Sequence, residues 1–143
     1  MITAVDTSIL LDVFLPDKNF AANSSRLLKS AYDEGALIIC DIVYAELVPH
    51  FEERSLLDSS LLTINVALSS VDKDVAYLAG KKWGLYRKSG GTRKRIITDF
   101  LIAAHAVSKA ERFLTRDRGF YKSYFPELKI FSPKATRTIT DKK

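Results

Sequence analysis

Short apolar runs alternating with longer helical patterns constrain this chain most. "ITAV" (residues 2–5), "ALIIC" (36–40), "RFLT" (112–115) and "LKIF" (128–131) read as four brief buried strands. Between them lie segments with helical spacing. "SILLDVFL" runs to Pro16, and "NFAANSSRLLKSAYDE" is amphipathic and stops at Gly35. "IVYAELVPHF" is opened by Asp41 as a cap, and "SLLDSSLLTI" follows. "VDKDVAYLAGKKWGLYRKS" puts Val75, Leu78 and Ala79 on one face and ends at Gly90-Gly91. A further helix opens at Asp99. Strands alternating with helices predict an α/β protein with a parallel sheet covered on both faces. The functional crevice of such a sheet lies beyond the carboxyl ends of its strands.

The 143 residues fit one domain with a real core, and 47% hydrophobic with 27% charged content excludes a disordered chain. No apolar run approaches the roughly 18 residues needed to cross a bilayer. "MITAVDTSILLDVF" carries no basic leader or small-residue cleavage site, so no signal peptide and a cytoplasmic location are expected. A single cysteine, Cys40, is expected in the core, and no Cys/His cluster suggests zinc. The 22 Lys+Arg against 17 Asp+Glu give a net charge of +5, which favours polyanionic partners. Residues 81–95, "KKWGLYRKSGGTRKR", hold seven of the positive charges, no acid, and the aromatics Trp83 and Tyr86. This is either a solvated helix face and loop or a phosphate-contacting surface with rings for base stacking. Arg93, Lys94 and Arg95 lead straight to Asp99 and are the RNA-binding candidates. The tail from residue 134 to 143 is polar, basic and expected to fray.

Four acids stand where the strand ends should be. Asp6 follows the first strand and Asp117 the third; Glu46 lies on the helix after the second, and Asp99 starts the helix leading into the third. Glu46 is flanked at helical spacing by Ile42 and Val43, with Leu47 and Val48 next to it. Asp99 has Ile96, Ile102 and Ala103 around it. A charge on such faces is costly without a partner. Arg95, Arg116 and Arg118 could supply structural ion pairs. The alternative is a hard divalent ion, since two carboxylates about 4 Å apart repel by about 4 kcal/mol at an effective dielectric near 20. An oxygen-only set suits Mg²⁺, with Mn²⁺ as a substitute, rather than zinc or copper. Asp99 can cap its helix with one oxygen and face the ion with the other. Thr7, Ser8 and Thr115 flank the acids and either orient them by hydrogen bonds or cap strand ends. Asp12 reads as peripheral and His105 as a packed helix histidine.

"VDTSILLDVF", "YAEL", "ITDFLIAAHA" and "FLTRDRGFYKSYFPELKIFSP" resemble, in order and spacing, the motifs of PIN domains. The VapC-type toxin ribonucleases of toxin–antitoxin pairs are the nearest likeness, which runs from residue 2 to Pro133. The resemblance implies one nuclease domain over 1–133, a three-layer α/β/α sandwich with a mostly parallel central sheet. It implies a Mg²⁺-dependent endoribonuclease whose catalytic and metal-binding acids match Asp6, Glu46, Asp99 and Asp117. Asp6 and Asp117 would hold an ion directly, and Glu46 and Asp99 a second ion or waters. It further implies an RNA substrate, a cognate antitoxin presenting an Arg to the acids, and a homodimer, for which "SLLDSSLL" is either a face or core. PIN domains often carry another acid two positions after the last one; this chain has Gly119 there. Two other readings remain: a solitary RNA-processing nuclease of the same kind, and a non-catalytic RNA-binding module.

Overall fold

The computed structural model describes residues 1–90 and 96–136. Within them the order is β1 (Ile2–Val5), α1 (Thr7–Phe14), α2 (Ala21–Glu34), β2 (Ala36–Ile39) and α3 (Asp41–Leu47). Then come a 3₁₀ turn (Val48–His50), α4 (Arg54–Thr63), β3 (Val66–Leu68), α5 (Lys73–Lys88) and α6 (Ile97–Lys109). β4 (Arg112–Leu114), α7 (Arg118–Tyr124) and β5 (Ile130–Phe131) complete it. The strands form one sheet in the order β3-β2-β1-β4-β5, and every pairing is parallel. The expected α/β/α sandwich is therefore present, with a sheet that is wholly rather than mostly parallel.

β1 lies in the middle, where Thr3, Ala4 and Val5 are buried as a strand covered on both faces must be. From β1 the chain steps outward through β2 to β3, then crosses back to β4 on the other side of β1 and on to β5. Right-handed crossovers put α1–α4 over one face and α5–α7 over the other. The second layer is tied by aromatics. Phe100 of α6 meets Tyr86 of α5 at 5.4 Å and Phe120 of α7 at 5.3 Å, and Phe113 of β4 meets Tyr121 at 5.0 Å.

Several local expectations change. β3 was not anticipated: it has three residues, its Ala67 and Leu68 are exposed at the sheet edge, and Asn65 turns into it with φ of 60°. The helix expected through Phe51 gives way at Leu47 to the 3₁₀ turn, because Pro49 cannot donate the next helical hydrogen bond. α7 fills a stretch with no sequence assignment. Asp41 does not cap α3; Cys40 occupies that position, and Asp41 Oδ1 accepts from Val71 N at 3.2 Å. Gly35 is required because a Cβ there would lie 1.8 Å from the Met1 carbonyl oxygen, which itself accepts from Ala36 N at 2.9 Å. In α4, Leu57 and Leu61 face the core while Leu56 and Leu62 are exposed. The tail is tied down through Thr136, with Asn23 Nδ2 donating to the Lys134 carbonyl and Thr136 N to that of Asn19, both at 2.6 Å.

Phe100 is fully buried among four aromatic rings, directly after Asp99 in sequence. Phe100→Ala should lower unfolding free energy by about 3–5 kcal/mol in urea titrations. Leu62→Ala, at an exposed position, should stay within about 0.5 kcal/mol of the parent.

Candidate active site

The order of the strands reverses between β1 and β4, so the crevice of this sheet opens at their carboxyl ends. Val5 pairs with Leu114, and Asp6 N donates to the Leu114 carbonyl at 2.9 Å, which carries the pairing one step past both strands. That step sets Asp6 beside Thr115. The fully buried Thr115 hydroxyl donates to Asp6 Oδ2 at 2.7 Å and accepts from Asp117 N at 3.0 Å. One side chain thus couples the two strand-end acids.

Glu46 comes from α3 and accepts from the Thr7 hydroxyl at 2.5 Å. Asp99 sits in the first turn of α6, one turn later than expected for the cap, which is Ile96; Asp99 Oδ2 accepts from Ile96 N at 3.3 Å. All four acids line one open cleft of about 520 Å³ with Thr7, Ser8, Leu11, His50, Ile102, Arg116 and Tyr121. The Ser8 hydroxyl is buried without a hydrogen-bond partner among the described residues.

The cleft is electrostatically costly. Asp6 is 8% exposed, and its pKa rises from 3.8 to about 6, chiefly because burial disfavours its charge. The bonds from Thr115 and Thr7 N pull it back, while the charges of Glu46 and Asp99 push it further up. Glu46 and Asp99 are therefore close enough to be felt at Asp6. Among the described residues, no three or more acid, histidine or cysteine side chains are grouped closely enough to hold a metal ion by themselves. An open cleft with hard oxygen donors and a strained buried carboxylate suits a small divalent cation that keeps several of its waters.

Three polar residues of the cleft were not singled out as site residues from sequence. His50 lies one turn beyond Glu46, a spacing that could have found it. Arg116 precedes Asp117 and pairs with Asp12, which is 2% exposed and is not among the described residues lining the cleft. Tyr121 lies on α7, which had no sequence assignment. His105 is buried in α6, and burial lowers its pKa. Of the basic segment, Tyr86 is buried in the aromatic cluster, so it offers no base-stacking surface, and Arg87 covers Trp83 at 5.0 Å. Arg93, Lys94 and Arg95 lie outside the described residues. No helix among the described residues is long and apolar enough to cross a membrane.

Asp6 binds its proton more tightly folded than unfolded, so protonation favours the fold. Its contribution is complete below 3.8 and lost as pH rises through about 6. Over that window the metal-free protein should lose about 3 kcal/mol of stability that an Asp6→Asn variant retains. Urea unfolding of both proteins in EDTA across a pH series measures the difference; parallel curves would contradict it.

The PIN domain family model matches residues 3–126. No curated protein matches the chain in sequence comparison. Among solved structures, the chain resembles VapBC2 from Rickettsia felis bound to a promoter DNA fragment, with a TM-score of 0.72 and 20% identity over 94% of this chain and 100% of that one. It resembles VapBC-1 from nontypeable Haemophilus influenzae with a TM-score of 0.70 and 21% identity, covering 92% and 98% of the two chains. A toxin–antitoxin complex from Klebsiella pneumoniae aligns with a TM-score of 0.69 and 15% identity over 94% and 99%. PIN domains are generally divalent-metal-dependent nucleases. With its family model spanning most of the sequence and its strand-end acids gathered in one cleft, this chain belongs to the PIN domain family.

Proposed function

We propose that this protein is a Mg²⁺-dependent endoribonuclease and the toxin of a toxin–antitoxin pair. The observation that carries the reading is the gathering of Asp6, Glu46, Asp99 and Asp117 along one open cleft at the switch point of the sheet. The toxin assignment draws on the likeness to two-component VapBC complexes, and RNA as substrate on the resemblance to VapC-type ribonucleases and the net charge of +5. An antitoxin is the natural partner of such a cleft, because a guanidinium fits where a cation would sit among carboxylates. We also propose a homodimer, a cytoplasmic location, and a nuclease domain over 1–133 with residues 134–143 as a basic tail.

When bound, the ion supplies a water of lowered pKa and neutralises charge developing on the phosphorus. Everything else falls to the chain. Asp6 and Asp117 hold the ion from rigid strand ends. Thr115 keeps them in register by bonding to both segments. Glu46, steadied by Thr7, and Asp99, steadied by the Ile96 amide, bind a second ion or order water. One of these carboxylates accepts the proton of the attacking water. The new O–P bond then forms as the P–O3′ bond breaks in line and the departing 3′ oxygen takes a proton from water, leaving a 5′-phosphate and a 3′-hydroxyl. Gly119 stands where PIN domains often carry a further acid, so a second ion would be held weakly or only with oxygens from the substrate phosphate.

Incubating the protein with total RNA should give discrete new 5′ ends with Mg²⁺ or Mn²⁺ and none with EDTA. Asp6→Asn and Asp117→Asn should abolish cleavage without lowering the unfolding temperature at neutral pH. Full activity in either would remove that residue from the mechanism. Thr115→Val keeps the shape but loses the hydroxyl that orients both acids, and should reduce cleavage about 10–100-fold.

A further inference from the structure

Arg116 is the one Lys or Arg on the wall of the acidic cleft among the described residues. A guanidinium beside four carboxylates should fold onto one of them in a bidentate pair. Here it is held from the side. Its Nη2 lies 3.2 Å from Asp12 Oδ1, and its plane sits over the Phe20 ring, 4.1 Å from the centroid. Asp12 is itself fixed: it is 2% exposed, and the fully buried Ser24 hydroxyl donates to its other oxygen at 2.7 Å. Asp12 belongs to α1, Ser24 to α2, and Phe20 immediately precedes α2. The tether therefore reaches across from one helical layer to the loop after β4, while a third of the Arg116 side chain stays exposed.

We infer that Arg116 is an anion subsite for the polynucleotide, binding a non-bridging oxygen of the phosphate at or next to the one that is cut. The planar fork presents further donors beyond the nitrogen on Asp12, and phosphate oxygens match that fork geometry. Asp12 acts as a positioning residue: it holds the guanidinium to the side of the carboxylate cluster. The inference rests on the proposed nuclease reading for the identity of the ligand, but its test does not need cleavage.

The probe is a fluorescein-labelled single-stranded RNA oligonucleotide, its binding followed by anisotropy in EDTA across a potassium chloride series. Arg116→Ala should weaken binding about tenfold and lower the slope of log affinity against log salt by roughly 0.7. Arg116→Lys should keep the slope and lose part of the affinity, and it guards against misfolding because it still compensates Asp12. Asp12→Asn separates positioning from bulk charge. It makes the protein more positive, so charge alone predicts tighter binding, whereas loss of the tether predicts weaker binding. Lys29→Ala, exposed on a different cavity, should leave the slope unchanged. Parental affinity and slope in Arg116→Ala, or tighter binding in Asp12→Asn, would overturn the inference. If the parent binds through Arg116 but never cuts RNA with Mg²⁺, the nuclease proposal fails and the anion subsite stands.

Discussion

The hydrogen bond from the Thr115 hydroxyl to Asp6 joins the two halves of the molecule at the point on which the site depends. β1 and β4 are neighbours in the sheet although a whole layer of crossovers separates them in sequence. Their pairing continues past the last strand residues through Asp6 N and the Leu114 carbonyl. A register slip of one residue between β1 and β4 would turn one strand over relative to the other, so Asp6 and Thr115 would no longer share a face. The buried, apolar character of Ala4, Val5, Phe113 and Leu114 prevents that slip. The chemistry of the cleft thus rests on the packing of the sheet's centre.

Placing acids there opposes folding, and the fold offsets part of the cost locally. Asp6 and Asp117 precede the first turns of α1 and α7, and Asp99 lies in the first turn of α6. Free backbone N–H groups and the positive end of the helix dipole favour a carboxylate at each place. Glu46 stands at the other end of its helix and has the Thr7 hydroxyl instead. These donors do not restore Asp6 to its ordinary acidity, because burial outweighs them. The remaining imbalance at Asp6 is what the proposed divalent cation would relieve.

Much of this was legible in the sequence, for physical reasons that differ by residue. Asp6 and Asp117 were readable because each closely follows a run too short and apolar to be anything but an interior strand. Glu46 was readable because its helix offers no polar stripe. Asp99 was ambiguous, and its backbone bond to Ile96 shows why: the residue does serve the helix start, three positions in. β3 was not legible, since its three apolar residues, Val66, Ala67 and Leu68, are too short a run to mark a strand by pattern. The Asp12–Arg116 pair was hidden because its partners come from distant parts of the chain and meet only when α1 approaches the loop after β4. Tyr86 shows the opposite failure: an aromatic among lysines looked like a nucleic-acid surface, yet its ring turns inward to Phe100.

The central claim is that oxygens from Asp6, Glu46, Asp99 and Asp117 together make the proposed cleft a divalent-cation site. Manganese uptake followed by loss of the free-ion paramagnetic resonance signal tests it without substrate. The parent protein should take up Mn²⁺ saturably, and each amide replacement of Asp6 or Asp117 should weaken that uptake. Undiminished uptake by a folded protein with all four acids replaced by amides would contradict the account.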